Sequence, residues 1–185
     1  MKNNPALKTL FIYNSIFVFA GNLLGPLFAV YVQGFHQNPL TISSVWAVFI
    51  FFTTLFTFIV YKIGDRIIEK EYLLLAGFFI RFLAWFCYIF AGNLLAIIII
   101  QILLALGEAC GSPAFDSLVS QHIDQKFRVS EYSQYKILSN LSIALATVFG
   151  GLIVSLFGFK ILFLLMSLLA LFCFFAILTK PRKLL

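Results

Sequence analysis

Two residues of opposite charge interrupt apolar sequence: Arg81 within LAGFFIRFLAWF and Glu108 within LLALGEACGS. In an apolar medium ionised groups are costly unless paired or wetted, so their matched positions near the middles of consecutive helical segments predict an ion pair. Helical spacing adds a polar stripe beside Glu108. Gln101, Glu108 and Ser112 share one face, with Asp116 a turn further along. Asn14, Gly21 and Gly25 form a second stripe with Asn22 beside them, and Ser139, Asn140, Ser142 and Thr147 add polarity to a third segment. These groups suit the walls of a wet crevice. A buried acid's proton affinity moves with the position of its partner, so Glu108, tuned by Arg81, is a candidate proton- or substrate-responsive carboxylate. The other reading is a permanent salt bridge that fastens two helices together.

Nucleophilic catalysis finds no support. The two histidines, His36 and His122, sit at opposite ends of the apolar segments, and no nucleophile elbow, zinc-helix motif or nucleotide-binding glycine loop occurs. Cys87, Cys110 and Cys173 all fall inside apolar segments, where they pack as small hydrophobes. An enzyme is not expected, and no cofactor or metal is called for.

The elements that position these residues follow from composition. A chain of 185 residues that is 62% hydrophobic and 11% charged has more apolar surface than a soluble domain of that size can hide. Its solvent is the lipid bilayer. Segments of about 18 or more nearly uncharged residues mark spanning helices. Six are predicted, over 7–32, 45–61, 72–90, 94–118, 135–156 and 161–179. They are too long and continuous for barrel strands, which alternate every second residue. The expected class is all-α, a single polytopic bundle over 1–185 with no soluble domain. The last span, Phe and Leu all round, reads as a lipid-facing scaffold, and 121–134 reads as a surface connector.

The net charge of +6 is explained by where the cations lie, not by a nucleic-acid partner. Lys2, Lys8, Lys62, Arg66, Lys70, Lys126, Arg128, Lys136, Lys180, Arg182 and Lys183 lie on one side of the spans, against Lys160 on the other. Eleven against one predicts a plasma (inner) membrane protein with both termini cytoplasmic. Val18-Phe19-Ala20 imitates a signal-peptide cleavage site, but Asn14 interrupts the apolar run and the run continues past Ala20.

Several motifs carry a resemblance. Asp65, Arg66 and Lys70 stand in the loop between spans two and three; Gly107, Pro113 and Arg128 follow span four into the next loop; Gly150-Gly151 and Gly158-Phe159-Lys160 mark spans five and six. In this order and on these segments, the set resembles the signature motifs of the major facilitator superfamily. Tyr61 and Ile68 replace glycines of the loop signature, Glu69 replaces its first basic residue, Gln101 replaces an arginine, and Ala146-Thr147 stands where the family has Gly-Pro. The run Gly21 to Pro26 in span one is echoed by Gly107 to Pro113 in span four, which fits inverted three-helix repeats.

The resemblance implies secondary transport of a small solute by alternating access, with spans one and four lining the central cavity. It also implies that six helices are half of the usual twelve. A second copy beside the first, about an axis normal to the membrane, restores the family's two parallel halves; another six-helix half is the alternative partner. In that dimer Asp65 and Arg66, supported by Lys70, would latch against the cytoplasmic start of the other copy's fifth span, where the helix N-terminus favours a carboxylate; the other reading is a solvated loop whose positive charges, Lys62 and Lys70 above all, only set topology. Asp116 and Arg128 are expected at the cytoplasmic mouth. The competing function is a non-transporting scaffold or partner subunit derived from a half-transporter.

Overall fold

The computed structural model describes residues 5–64, 70–123 and 125–179. The chain forms α1 (Pro5–Asn22), α2 (Leu27–Gln33), α3 (Pro39–Ile63), α4 (Lys70–Tyr88), α5 (Leu94–His122), a 3-10 turn (Gln125–Phe127), α6 (Arg128–Phe157) and α7 (Phe159–Leu178). Among the described residues, six helical units are long and apolar enough to cross a membrane, with α1 and α2 together making the first.

Local chemistry sets the ends. Asn38 caps α3 by accepting from the Leu40 amide at 2.9 Å, and Pro39 follows at the first helical position, where a missing N–H costs nothing. Asn93 caps α5 through the Ala96 amide at 2.8 Å. Gly158 turns α6 directly into α7 at φ 80° and ψ 175°, a region open essentially to glycine.

The predicted boundaries shift in three places, one of them span two, which starts at Pro39 and not at 45 because Asn38 caps the helix there. Span one is not a continuous helix over 7–32: it breaks at 23–26, where Gly25 adopts φ 29° and Pro26 supplies no amide. Its echo in span four does not break, and Pro113 sits inside continuous α5. The supposed connector 121–134 shrinks, because α5 runs to His122 and α6 begins at Arg128. Polar residues continue a helix beyond the hydrocarbon without penalty, and Glu131 in the first turn of α6 favours the helix dipole.

Packing follows a pseudo-symmetry between the first three spans and the last three. Exchange of the two triplets maps the α1–α6 contact onto α5–α3 and the α1–α7 contact onto α5–α4, while α4–α7 maps onto itself. These three contacts fit inverted repeats, while the α6–α7 contact has no comparable α3–α4 counterpart among the described residues. Close approach uses glycine. At Gly77 an added Cβ would lie 2.6 Å from the Gly111 Cα, and at Gly150 it would lie 1.9 Å from the Leu23 carbonyl oxygen, so α4–α5 and α1–α6 meet backbone to backbone.

Span six is apolar all round, yet one face of α7 is sealed inside the bundle through Phe163, Met166, Ala170, Cys173 and Ile177. The bare helices are α3, in which Val45 alone is buried, and α6, whose buried residues are Glu131, Ser139, Ala146 and Gly150.

Candidate functional site

A cavity of about 910 Å³ runs along the bundle. Each wall is a helical stripe. From α4 come Leu74, Phe78, Arg81, Trp85 and Tyr88, at alternating spacings of four and three; α5 contributes Gln101, Leu104, Glu108, Gly111, Ser112 and Phe115. Asn14, Phe17, Gly21 and Asn22 line it from α1, Gly25 from the break that follows, and Trp46, Phe49, Ile50 and Thr53 from α3. Tyr132, Tyr135 and Lys136 of α6 close one end with Asp116.

The pair expected between Arg81 and Glu108 is present: Arg81 Nη2 donates to Glu108 Oε2, and Ser112 Oγ donates to Oε1 of the same carboxylate. The arrangement is asymmetric. Arg81's side chain is 7% exposed and Glu108's is 37% exposed. Arg81 lies along Gly107, where an added Cβ would fall 2.8 Å from its Cγ, and its guanidinium stands 4.6 Å from the centre of the Phe17 ring. Its cation is therefore held by a carboxylate and an aromatic face, while the carboxylate keeps an open side toward the cavity.

The remaining sequence candidates distribute as follows. Asn14 is buried and its Nδ2 donates to the Tyr135 hydroxyl at 3.3 Å, joining α1 to α6. Asn22 lines the cavity but donates to its own helix, at the Val18 carbonyl. Gln101 lines it and is buried, and its Oε1 has no partner. Asp116 is exposed at the end of the cavity that Lys136 also lines. Arg128 is exposed at the first residue of α6, and Asn140 is exposed on α6, apart from the residues that line the cavity. Asp65 and Arg66 lie outside the described residues, as does the side chain of Lys70, the residue that opens α4.

Sequence reasoning overlooked the aromatic wall. Trp85 and Tyr88 stand four and seven residues after Arg81, the same helical spacing that identified the stripe on α5, so the signal was available. Lys136 carried no such signal, because it was counted only as a topogenic charge.

Residues 10–184 match the family model described as Major Facilitator Superfamily. The chain belongs to this superfamily. Among solved structures, it resembles the POT family transporter PepTSo with a TM-score of 0.81 at 14% sequence identity, over 94% of this chain and 36% of that one. The chain thus spans about a third of that transporter's length. Among curated proteins, sequence comparison finds no match. For a major facilitator member an all-α fold of membrane-crossing helices is the expected one, six of them among the described residues here, and the membrane is its solvent. The superfamily is one of transporters, not a class of enzymes. Its glycine motifs acquire physical roles here: Gly107 makes room for the Arg81 stem and Gly150 for the Leu23 carbonyl, whereas nothing lies within 4 Å of an added Cβ at Gly151.

Proposed function

We propose that this protein is a secondary active transporter of a small solute, working by alternating access as a homodimer of six-helix bundles, with Glu108 as the proton- or substrate-responsive carboxylate. The observation that carries the reading is the Glu108 carboxylate itself, tied to a sealed Arg81 yet 37% exposed beside a cavity of about 910 Å³. A purely structural ion pair has no need of an open acid, whereas a transport site needs a group whose charge responds to what enters.

The partner is a second copy of the chain. Trp46, Ile50, Leu55 and Phe58 of α3 and Leu141, Val148 and Leu152 of α6 are exposed apolar side chains on the two least buried helices. A second bundle seated there would roof the cavity whose rim carries Trp46, Ile50, Asp116 and Lys136. In that assembly Asp65, Arg66 and Lys70 latch onto the start of the other copy's α6. The positive-inside pattern orients the Lys136 end toward the cytoplasm, with both termini there, in a plasma (inner) membrane.

The decisive assay is proton flux into pyranine-loaded proteoliposomes challenged with a panel of amino acids, peptides, sugars and organic cations. The expected result is a solute-dependent flux that Glu108→Gln abolishes. Transport whose rate and pH dependence are unchanged by Glu108→Gln removes this carboxylate from the mechanism, and a strictly monomeric particle in nanodiscs removes the homodimer.

A further inference from the structure

Two polar atoms at the other end of the cavity have no partner inside the protein. Gln101 is 1% exposed and Tyr88 is 2% exposed, and both the Gln101 Oε1 and the Tyr88 hydroxyl lack a hydrogen bond. Each such buried atom costs free energy, so a pair of them calls for a reason. Both residues line the cavity.

The helix register places them together. Arg81 and Glu108 meet across antiparallel α4 and α5. Seven residues onward along α4 from Arg81 is Tyr88, and seven residues back along α5 from Glu108 is Gln101. Seven residues make two helical turns, so Tyr88 repeats the face of Arg81 and Gln101 repeats the face of Glu108, about 10 Å along the axis. The Tyr88 ring is fixed by stacking on Phe163, with centroids 4.8 Å apart and an interplanar angle of 15°, and by an edge contact with Tyr31. A ring so clamped holds its hydroxyl in place.

We infer that Gln101 and Tyr88 form a second polar subsite of the cavity, which takes a hydroxyl or primary carboxamide on the solute about 10 Å from the group that Glu108 receives. A group of this kind donates to Gln101 Oε1 and accepts from the Tyr88 hydroxyl, satisfying both atoms at once. The aromatic and aliphatic wall between the two subsites, with Trp85 and Leu104 on it, suits an apolar spacer. The inference rests on the transport reading above and specifies its substrate: an elongated solute with one cationic end and one neutral hydrogen-bonding end.

Both tryptophans of the chain line the cavity, so intrinsic fluorescence reports occupancy. The full chain in lipid nanodiscs is titrated with octylamine and with 8-aminooctan-1-ol, whose spacer matches the separation, using empty nanodiscs as the blank. The hydroxyl is expected to tighten binding about tenfold. Gln101→Leu brings the ratio to about one with the octylamine Kd within twofold, and Tyr88→Phe lowers it to about threefold. Equal Kd values for the two probes in the wild type, as a resident water holding both atoms would give, overturn the subsite. So does a tenfold ratio that survives in both variants. The same ratio measured in Glu108→Gln separates the two claims. If that variant weakens both probes and keeps the ratio, both claims hold. If it weakens neither and keeps the ratio, the carboxylate's role fails while the subsite stands.

Discussion

Arg81 and Glu108 share one hydrogen bond across the α4–α5 interface but not one environment: the cation is sealed and the anion is open to the cavity. Removing either partner therefore has different consequences. Glu108→Leu strands a buried guanidinium and should cost about 3–5 kcal/mol, whereas Arg81→Met leaves a carboxylate that the cavity can hydrate and should cost about 1–3 kcal/mol. The double variant should recover most of the loss, since two apolar side chains replace two charges. Unfolding of the four proteins in nanodiscs, analysed as a double-mutant cycle, checks this; equal losses for the two single variants would contradict the asymmetry.

The neighbouring glycines of α6 make a sharp contrast. An added Cβ at Gly150 would fall 1.9 Å from the Leu23 oxygen, while at Gly151 nothing lies within 4 Å. Gly150→Ala should destabilise the protein by about 1–3 kcal/mol by prising α6 from α1, and Gly151→Ala should be neutral or stabilising by up to about 1 kcal/mol. Thermal unfolding of the two variants side by side decides it.

Gln101→Leu should raise stability by about 1 kcal/mol, because it removes a buried orphan oxygen and puts an apolar side chain in its place. A lower thermal midpoint for this variant would mean that the amide has a structural partner in the folded protein.

The exposed row on α3 should be covered when the protein is assembled. Single cysteines replacing Ile50 or Phe58 are expected to crosslink between copies in native-like membranes, while a cysteine replacing Leu83 on α4, a helix already packed on α5 and α7, is not. Crosslinking at Leu83 alone would place the interface elsewhere.

Much of this was legible in the sequence because the bilayer imposes strong local rules. A charge-free run of twenty residues must become a helix, since hydrocarbon offers no other way to satisfy backbone amides. The ion pair was legible too, because Arg81 and Glu108 stand at equal depth in consecutive spans. Span ends were read less well. Hydropathy locates the hydrocarbon edge, whereas the helix of Arg128–Phe157 stops where its hydrogen bonds stop, well past that edge.

The amino-acid sequence by itself determined the solvent, the number of spans and the family, all of which depend on composition and spacing along one chain. Only the tertiary structure decided that Arg81 is sealed while Glu108 is open, that Asn22 turns to its own helix, and that Asn140 stands apart from the cavity. The physical reason is that periodicity gives each helix its faces but not its rotation or its neighbours. Those are set by where small residues let backbones touch, at Gly77 with Gly111 and at Gly150 with Leu23.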